Sequence, residues 1–483
     1  MRVLSLTFAI ATVLGSMAYA APIAQNKVNL LEVYQLAVDN NADLAAAHAD
    51  YKAQSERVPQ ARAGLLPQIG AGASNTNSRN KVDITEGPDP SKSSITTSRS
   101  ALVYQASLSQ PLFRLDRWYQ LQAAQSSNEQ SALELSAIEQ ELILQSSDVY
   151  FSVLRAQDNL ATSDAEETAF KRQFDLASER FDVGLSDKTD VLQAQAAYDA
   201  ARANRLVAER MVSDAFQAVS TLTNVELSAL EGVKHSLPIL APTPNDATAW
   251  VNTAIEQNLG LQAINYAVQA AQDSVKQRKS GHAPTVDAIA QYQKGDNDGM
   301  GFINSGMPGM PRYNDKAEQS SIGIQLNIPL YTGGMTSSQV REGVYRLDQA
   351  EQMRESLRRK TVQDTRNFYR AVNTDVEQVQ ALKQAIISSQ SAVEATQIGY
   401  DVGTRNIVDV LDAQRLLYAA VRNYNNARYD YILNNLRLQQ TAGTLSPDSL
   451  QALSAYLNPN YNPEQDFLPP GLDKEIEANL RRR

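Results

Sequence analysis

The chain has 483 residues, a formal net charge of −10 and no cysteine. The missing cysteine excludes disulfides, zinc–thiolate sites, cysteine nucleophiles and lipidation of an N-terminal cysteine. The acidic balance argues against nucleic acid as a partner, because phosphate backbones select basic surfaces. The stability of the fold must therefore come from apolar burial and hydrogen bonding.

Residues 1–20 are predicted to be an export signal. They carry one positive charge at Arg2, an apolar run from Leu4 to Leu14 and the small-residue motif Ala18-Tyr19-Ala20. This run is shorter than the roughly 20 residues of a membrane-spanning helix, and no later segment approaches that length without charges. A membrane role would therefore require strands.

The first structural repeat is predicted to span residues 21–236 and to contain two strands. Apolar residues alternate with polar ones, the period of a strand with one apolar face, at Ile69, Ala71 and Ala73 and again at Leu102, Tyr104, Ala106 and Leu108. Between them, Thr76 to Ser100 is polar and is predicted to be an exposed loop. Phe113 and Trp118 follow, where a membrane-interface girdle would place aromatic rings. Packing at the junction of strand and helix explains these rings equally well.

A single helix is predicted from Asp116 to Arg180. The sequence has no proline between Pro111 and Pro238 and no glycine from Leu112 to Val183, and it is dense in strong helix formers. At 1.5 Å per residue such a helix would be about 100 Å long. Gly184 is predicted to end it, because glycine tolerates positive φ, and Ser186 could cap a returning antiparallel helix.

The second half of the chain repeats the first. The fifteen residues from Phe181 to Gln195 return 219 positions later as Tyr400 to Gln414, with eight identities. We therefore predict an internal tandem duplication, with a second structural repeat at residues 237–446 and a polar C-terminal tail at 447–483. A period this long excludes a solenoid, whose repeats run to roughly 50 residues.

The second repeat is predicted to contain the same parts in the same order. Its two strands are indicated by alternating apolar residues at Val286, Ala288, Ala290 and Tyr292 and at Ile322, Ile324, Leu326, Ile328 and Leu330. Gly295 to Glu318 is the matching loop, Tyr331 is the matching aromatic residue, and Gly403 and Asn406 are predicted to end one helix and cap the next.

The second long helix carries two apolar seams rather than one. Two seams allow a helix to pack against a neighbour on each side, as a stave does in a cylinder. An ordinary antiparallel bundle with a wide apolar face is the alternative.

Four strands cannot close a barrel by themselves. About eight strands are the practical minimum, and an open sheet edge is not stable in lipid. A membrane barrel would therefore need several copies of the chain, and the strand count does not distinguish two, three or four.

The whole pattern resembles the TolC family of outer-membrane export ducts. The most specific segments are Gly399 to Ala413 (GYDVGTRNIVDVLDA) and Ile328 to Met335 (IPLYTGGM). The resemblance implies a homotrimer, mostly α with a β membrane part, in which an outer-membrane β-barrel with four strands per chain continues into a long periplasmic α-helical barrel. It also implies a periplasmic adaptor protein and an inner-membrane pump of the RND or ABC type as partners. The implied function is an exit duct for efflux and type I secretion.

The resemblance also assigns a ring of carboxylates at the periplasmic entrance to Asp409 and Asp412. One helical turn separates them, so a trimer would bring six carboxylates to a narrow opening. Like charges attract cations there, and a multivalent ion could block the duct although no metal is expected as a cofactor. A solvated helix start, where the helix dipole favours aspartate, is the simpler interpretation. Asp190 matches Asp409 in the first repeat, but Gln193 stands where Asp412 would be.

The family's gate links fall on Tyr400 and Arg405 of one hairpin and on Thr189 and Asp190 of the other. Hydrogen bonds of this kind contribute about 1 to 3 kcal/mol each, which is small enough for a partner protein to break. Lys188 departs from the apolar residue that the pattern leads us to expect, and Asn406 adds another polar group. Both leave the strength of the closed state open.

An enzyme is not expected. The three histidines are scattered and no nucleophile elbow, phosphate-binding glycine loop or zinc-protease motif occurs. A structural coiled-coil or adhesin-type outer-membrane protein without transport is the remaining alternative, although it would not need alternating strands around a polar loop in both halves. The sequence does not identify the exported cargo.

Overall fold

The computed structural model of the chain describes residues 27–84, 93–296 and 316–469. The predicted export signal, the centres of both predicted loops and the end of the predicted tail lie outside these residues. The elements of the first half are α1 (Leu30–Asn40), α2 (Ala42–Ser55), α3 (Arg57–Ala63), β1 (Gln68–Ile84), β2 (Ser93–Phe113), α4 (Leu115–Asp182), α5 (Lys188–Thr223) and β3 (Gly232–Val233).

The second half has nearly the same order of elements. They are α6 (Ala247–Gln257), α7 (Leu259–Lys279), a 3-10 turn (Ser280–His282), β4 (Thr285–Asp296), β5 (Lys316–Asn327), α8 (Met335–Asp401), α9 (Ile407–Ala442), α10 (Pro447–Ser454), β6 (Leu457–Asn458) and α11 (Pro463–Asp466).

Two pairs of antiparallel helices dominate the molecule. The helix α4 has 68 residues and α8 has 67, so each is about 100 Å long at 1.5 Å per residue. The unbroken helix predicted from Asp116 to Arg180 is confirmed. Helix α4 packs along α5 and α8 along α9, while α4 also packs along α7 and α9. The two hairpins are therefore joined along much of their length.

The four long strands form one antiparallel sheet in the order β1-β2-β4-β5, and the two short strands β3 and β6 pair with each other. Its register places Ile69, Leu108, Ala290 and Ile322 in one row across all four strands. The next row, on the opposite face, consists of Gly70, Ser107, Gln291 and Ser321. Three side chains of the apolar row are exposed, up to 92% at Ile322, and Ala290 is half-buried. One face of the sheet is therefore apolar and the other polar.

The first predicted loop is shorter than the sequence suggested. Strand β1 continues to Ile84 and β2 begins at Ser93, so much of the predicted loop from Thr76 to Ser100 is paired backbone. Ladder hydrogen bonds do not require apolar side chains, so the pairing extends past the apolar band into residues such as Asn77 and Ser100. In the other direction, Ile328 and Leu330 were predicted as strand but lie beyond the end of β5.

The main core lies beside the middle of α4 and α9, where the short helices and the C-terminal segment meet. Its members are fully or almost fully buried: Leu30, Val33, Tyr150, Phe151, Leu154, Tyr429, Leu436, Leu438, Leu450 and Leu457. Residues 447–469, the first part of the predicted polar tail, thus form packed structure that includes α10, β6 and α11. In the described part of the chain, no helix is long and apolar enough to cross a membrane.

Candidate functional site at the helical hairpin tips

Both long helices end at a glycine with positive φ. The φ angle is 78° at Gly184 and 80° at Gly403, a region that costs an L-residue with a Cβ more than it costs glycine. The Leu185 amide donates to the Arg180 carbonyl at 2.8 Å, and the Thr404 amide donates to the Gly399 carbonyl at 2.8 Å. These bonds satisfy carbonyls at the helix ends and turn the chain back.

The two returning helices start with different caps. The side chain of Asp187, not the predicted Ser186, accepts the amides of Thr189 at 2.7 Å and Asp190 at 3.1 Å. Asp187 is the better placed residue because it directly precedes the first helical turn. The Ser186 hydroxyl instead donates to the Asp190 carboxylate at 2.8 Å. Lys188 begins α5 and is exposed.

Asn406 caps the second returning helix, as predicted, and it engages Asp409. Its side chain accepts the Asp409 amide at 2.9 Å, while the Asp409 carboxylate accepts the Asn406 amide at 3.4 Å. The polar residue at this position is therefore part of a capping box. It holds the Asp409 side chain against the helix start.

The predicted carboxylates each have a basic neighbour, Arg405 in the turn before α9 and Arg415 within α9. Arg405 lies 3.8 Å from Asp409, and Arg415 lies 2.9 Å from Asp412. All four side chains are more than a third exposed, so each pair contributes little to stability. The structure places both carboxylates on the first turns of α9, accessible to solvent and partly neutralised.

Within one chain, no hydrogen bond or ion pair joins the predicted gate residues of one described hairpin to those of the other. Arg405 faces Asp409, and Asp190 is bonded to Ser186. The Tyr400 ring is 7% exposed, and its hydroxyl oxygen is buried without a hydrogen-bond partner among the described residues. A hydrogen bond from Tyr400 or Arg405 to Thr189 or Asp190 therefore requires another copy of the chain or a movement of these side chains.

Tyr400 is held instead by an arginine that the sequence analysis did not single out. The Arg180 guanidinium lies 4.6 Å from the centroid of the Tyr400 ring, and it is 3.7 Å from the Asp401 carboxylate. A basic residue in the last turn of α4 is unremarkable in a sequence, because it suits the helix dipole anywhere. Only the packing of α4 against the end of α8 reveals the contact.

The predicted interface aromatics lie at the junctions of strand and helix. Phe113 ends β2, Trp118 lies in the first turn of α4, and Tyr331 lies between β5 and α8. Their exposed fractions are 44%, 51% and 88% respectively. Such rings are not needed to fill the core of the single chain, which leaves them available to an apolar surrounding.

The chain is similar to known outer-membrane and secretion proteins. The family model described as outer membrane efflux protein matches residues 33–225 and again 250–444. The outer membrane protein TolC of Vibrio cholerae is 36% identical over 430 residues, which cover 89% of this chain and 94% of that protein. The alkaline protease secretion protein AprF of Pseudomonas aeruginosa is 26% identical, over 89% of this chain and 87% of that protein.

Solved structures show the same fold. A crystal structure of CusC superposes with a TM-score of 0.74 and 16% identity, over 89% of this chain and 95% of that one. Because the family model covers most of the chain in two stretches and a relative above 30% identity covers nearly its whole length, the resemblance inferred from the two motifs is confirmed. The chain belongs to the outer membrane efflux protein family and is an outer-membrane protein.

Proposed function

We propose that three copies of this chain form an exit duct that passes drugs or proteins from the periplasm to the exterior. The two-faced sheet is the observation that carries the proposal. A row of apolar side chains from Ile69 to Ile322 crosses every strand, while the adjoining row on the other face is polar. This is the arrangement of a barrel wall between lipid and an aqueous lumen.

The edges of the sheet support an assembly of several copies. Strands β1 and β5 are the outer strands, and each has one side without a partner among the residues that the structure describes. Because unpaired backbone is not stable in lipid, β1 of one copy would pair with β5 of the next. Three copies of four strands give a barrel of twelve, as in the family resemblance.

The two long hairpins would form the periplasmic tunnel of the duct. Their tips lie about 100 Å from the sheet along α4 and α8. A closable entrance at the tips would be lined by Asp409 and Asp412 and held by Thr189, Asp190, Tyr400 and Arg405, with Gly184 and Gly403 shaping the turns. An iris-like opening would move one hairpin outward relative to the other.

A periplasmic adaptor and an inner-membrane pump of the RND or ABC type are the partners of this proposal. The similarity to AprF, a protease secretion protein, favours protein export as one use of such a duct, and membership of the outer membrane efflux protein family favours efflux. A wide lumen would select little, so the pump and adaptor would determine the cargo.

Conductance and topology together test the function. Purified trimers in planar bilayers should give discrete ion-conducting steps. Cysteines placed between Asn80 and Pro90 or between Gly299 and Pro311 should react with a membrane-impermeant thiol reagent on intact cells. Arg210→Cys on α5, where the side chain is 67% exposed, should react only after the outer membrane is permeabilised. A trimer that gives no conductance would support the alternative of a structural coiled-coil or adhesin, and the opposite labelling pattern would reverse the topology.

A further inference from the structure

Polar contacts join the α4–α5 hairpin to the α8–α9 hairpin at several points along α4. Going toward the tips, Arg155 bonds Asp430 at 2.6 Å, and the buried Glu166 accepts from Arg422 at 2.6 Å. Both pairs join α4 to α9. Beyond them the partner helix changes to α8, where the Gln173 amide donates to Gln397 at 3.1 Å.

Arg180 makes the last contact of this series among the described residues. Two helical turns beyond Gln173, its guanidinium contacts both Tyr400 and Asp401 in the last turn of α8. After Arg180 the α4 helix ends, and the next residues form the turn around Gly184. Among the described residues, Arg180 is therefore the polar side chain that joins the two hairpins nearest to their tips.

The Tyr400 ring lies between an apolar cluster and this arginine. Its hydroxyl has no partner, so a hydrogen bond does not orient it. The ring packs on an apolar cluster of Phe170, Ile407, Val410 and Leu411, and its face is covered by the Arg180 guanidinium within the range of a cation–π contact. Arg180 is 27% exposed in its side chain, so the contact is partly shielded from water and salt.

We propose that Arg180 is an intrasubunit latch that holds the end of α8 on the end of α4 and so stabilises the closed entrance. The proposal rests on the proposed function as a gated duct. Breaking the latch would free the α8–α9 tip from the α4–α5 tip inside each subunit. It would do so without touching Asp190 or Arg405, the residues assigned to the gate by resemblance.

The test compares single-channel recordings of three variants with the wild-type trimer. Arg180→Gln removes the charge and the guanidinium plane, and Asp401→Asn removes only the ion pair. Lys171→Gln, an exposed position on α4 near the tip, is the matched control for loss of one positive charge. Arg180→Gln should raise the open fraction by roughly three- to tenfold, Asp401→Asn by less, and Lys171→Gln should leave it unchanged.

Two further measurements separate a latch from a general structural role. The double variant should have the same open fraction as Arg180→Gln alone, because Arg180→Gln already removes the ion pair with Asp401. Arg180→Lys should restore part of the closed state, since it keeps the charge over the ring but loses the planar fork. All variants must first give trimers at wild-type yield. If Arg180→Gln does not, Asp401→Asn, which changes a half-exposed side chain, decides the test, and an unchanged open fraction in that variant overturns the latch.

The outcomes distinguish this proposal from the one on which it rests. If neither the wild type nor any variant conducts, the proposed function as a duct is wrong. If the wild type conducts, and Arg180→Gln and Asp401→Asn keep its open fraction, the latch is overturned while the duct stands. An equal rise in Lys171→Gln would also overturn the latch, because the effect would then belong to charge alone.

Discussion

The Tyr429 hydroxyl donates a hydrogen bond of 2.7 Å to one oxygen of Asp158, a carboxyl that is 1% exposed. The Tyr461 hydroxyl donates to the other oxygen. Helix α4, helix α9 and the C-terminal segment are thereby joined at one buried group. Burial raises the pKa of Asp158 from its ordinary 3.8 to about 6, although the two hydroxyls and the nearby Arg428 act in the opposite direction.

His235 holds the same segment and is shifted the other way. Its Nε2 lies 2.7 Å from the Asp466 carbonyl, and its ring stacks on Tyr424. Burial, with a smaller contribution from Arg428, lowers the pKa of His235 from 6.5 to about 4. The two titrations therefore affect the stability of the same region with opposite signs.

The first prediction concerns the pH dependence of stability. Asp158 binds its proton more tightly when folded, so its contribution falls as pH rises from about 4 to about 6, by on the order of 3 kcal/mol. His235 is neutral when folded, so its contribution falls as pH drops from about 6.5 to about 4, by a similar amount. In the wild type, the two pH-dependent contributions to the free energy of unfolding nearly cancel.

Two single variants should reveal the pH-dependent contribution of each residue separately. With Asp158→Asn, the free energy of unfolding should rise with pH between about 4 and 6.5. With His235→Gln, it should fall over the same range. Guanidinium titrations of the detergent-solubilised protein at pH 4.5 and 6.5 measure both, and every other titrating group is common to the two variants. Parallel pH dependences of the two variants would contradict the assignment.

The second prediction concerns Gly232 in β3. A Cβ placed there would overlap the ring of Tyr461, whose hydroxyl reaches Asp158. Gly232→Ala should therefore displace the C-terminal segment and destabilise the protein by about 1 to 3 kcal/mol, as overpacking commonly does. Thermal unfolding measures the change. Gly323→Ala, at a position with no neighbouring atom within 4 Å, is the matched control and should shift the midpoint little.

The third prediction separates the contributions of Arg405 and Tyr400 to the closed entrance. Combined, Arg405→Ser and Tyr400→Phe should raise conductance without loss of the trimer. Because the Tyr400 hydroxyl is buried without a partner, we expect Arg405→Ser to carry most of this rise. Tyr400→Phe alone removes an unsatisfied polar group and should leave conductance near the wild-type level. A large rise in Tyr400→Phe would show that its hydroxyl bonds another subunit in the closed trimer.

The sequence predicts the long helices well because their signal is local. Absence of proline and glycine over α4 is visible in the residues themselves, and so is the glycine at each tip. The extent of β1 beyond Thr76 was missed, because ladder pairing between polar residues leaves no apolar alternation. The Asp158 cluster was missed because it joins Tyr429 and Tyr461, which lie 271 and 303 positions away along the chain.

For the gate residues, the sequence predicts the positions but not the partners. The family motifs locate Arg405 and Asp409 on the chain, but a single chain shows only their local partners. In the structure, Arg405 in the turn before α9 lies 3.8 Å from Asp409 in the first turn of that helix. Contacts across a subunit boundary depend on the assembly, and neither sequence period nor intrachain packing specifies them.

The last prediction concerns cation block by the carboxylates of α9. In a trimer, Asp409 and Asp412 would surround a narrow opening, where a multivalent cation gains far more than at an isolated surface carboxylate. Replacing both by alanine should weaken block by Co²⁺ by orders of magnitude and lower the preference for cations. Trimer stability should change little, since both side chains are exposed to water. Blocker titrations of the bilayer conductance measure the effect.

Two controls test whether the carboxylate ring belongs to the second hairpin. Asp190→Ala should weaken Co²⁺ block much less, because Gln193 stands where the second carboxylate would be and the Asp190 carboxylate is bonded to Ser186. Arg415→Gln should tighten block, since Arg415 lies 2.9 Å from Asp412 and partly neutralises it. Equal loss of block in Asp190→Ala and in the double variant would refute the assignment. Unchanged block in Arg415→Gln would show that Asp412 faces away from the ion, because freeing its carboxylate would then not affect cation binding.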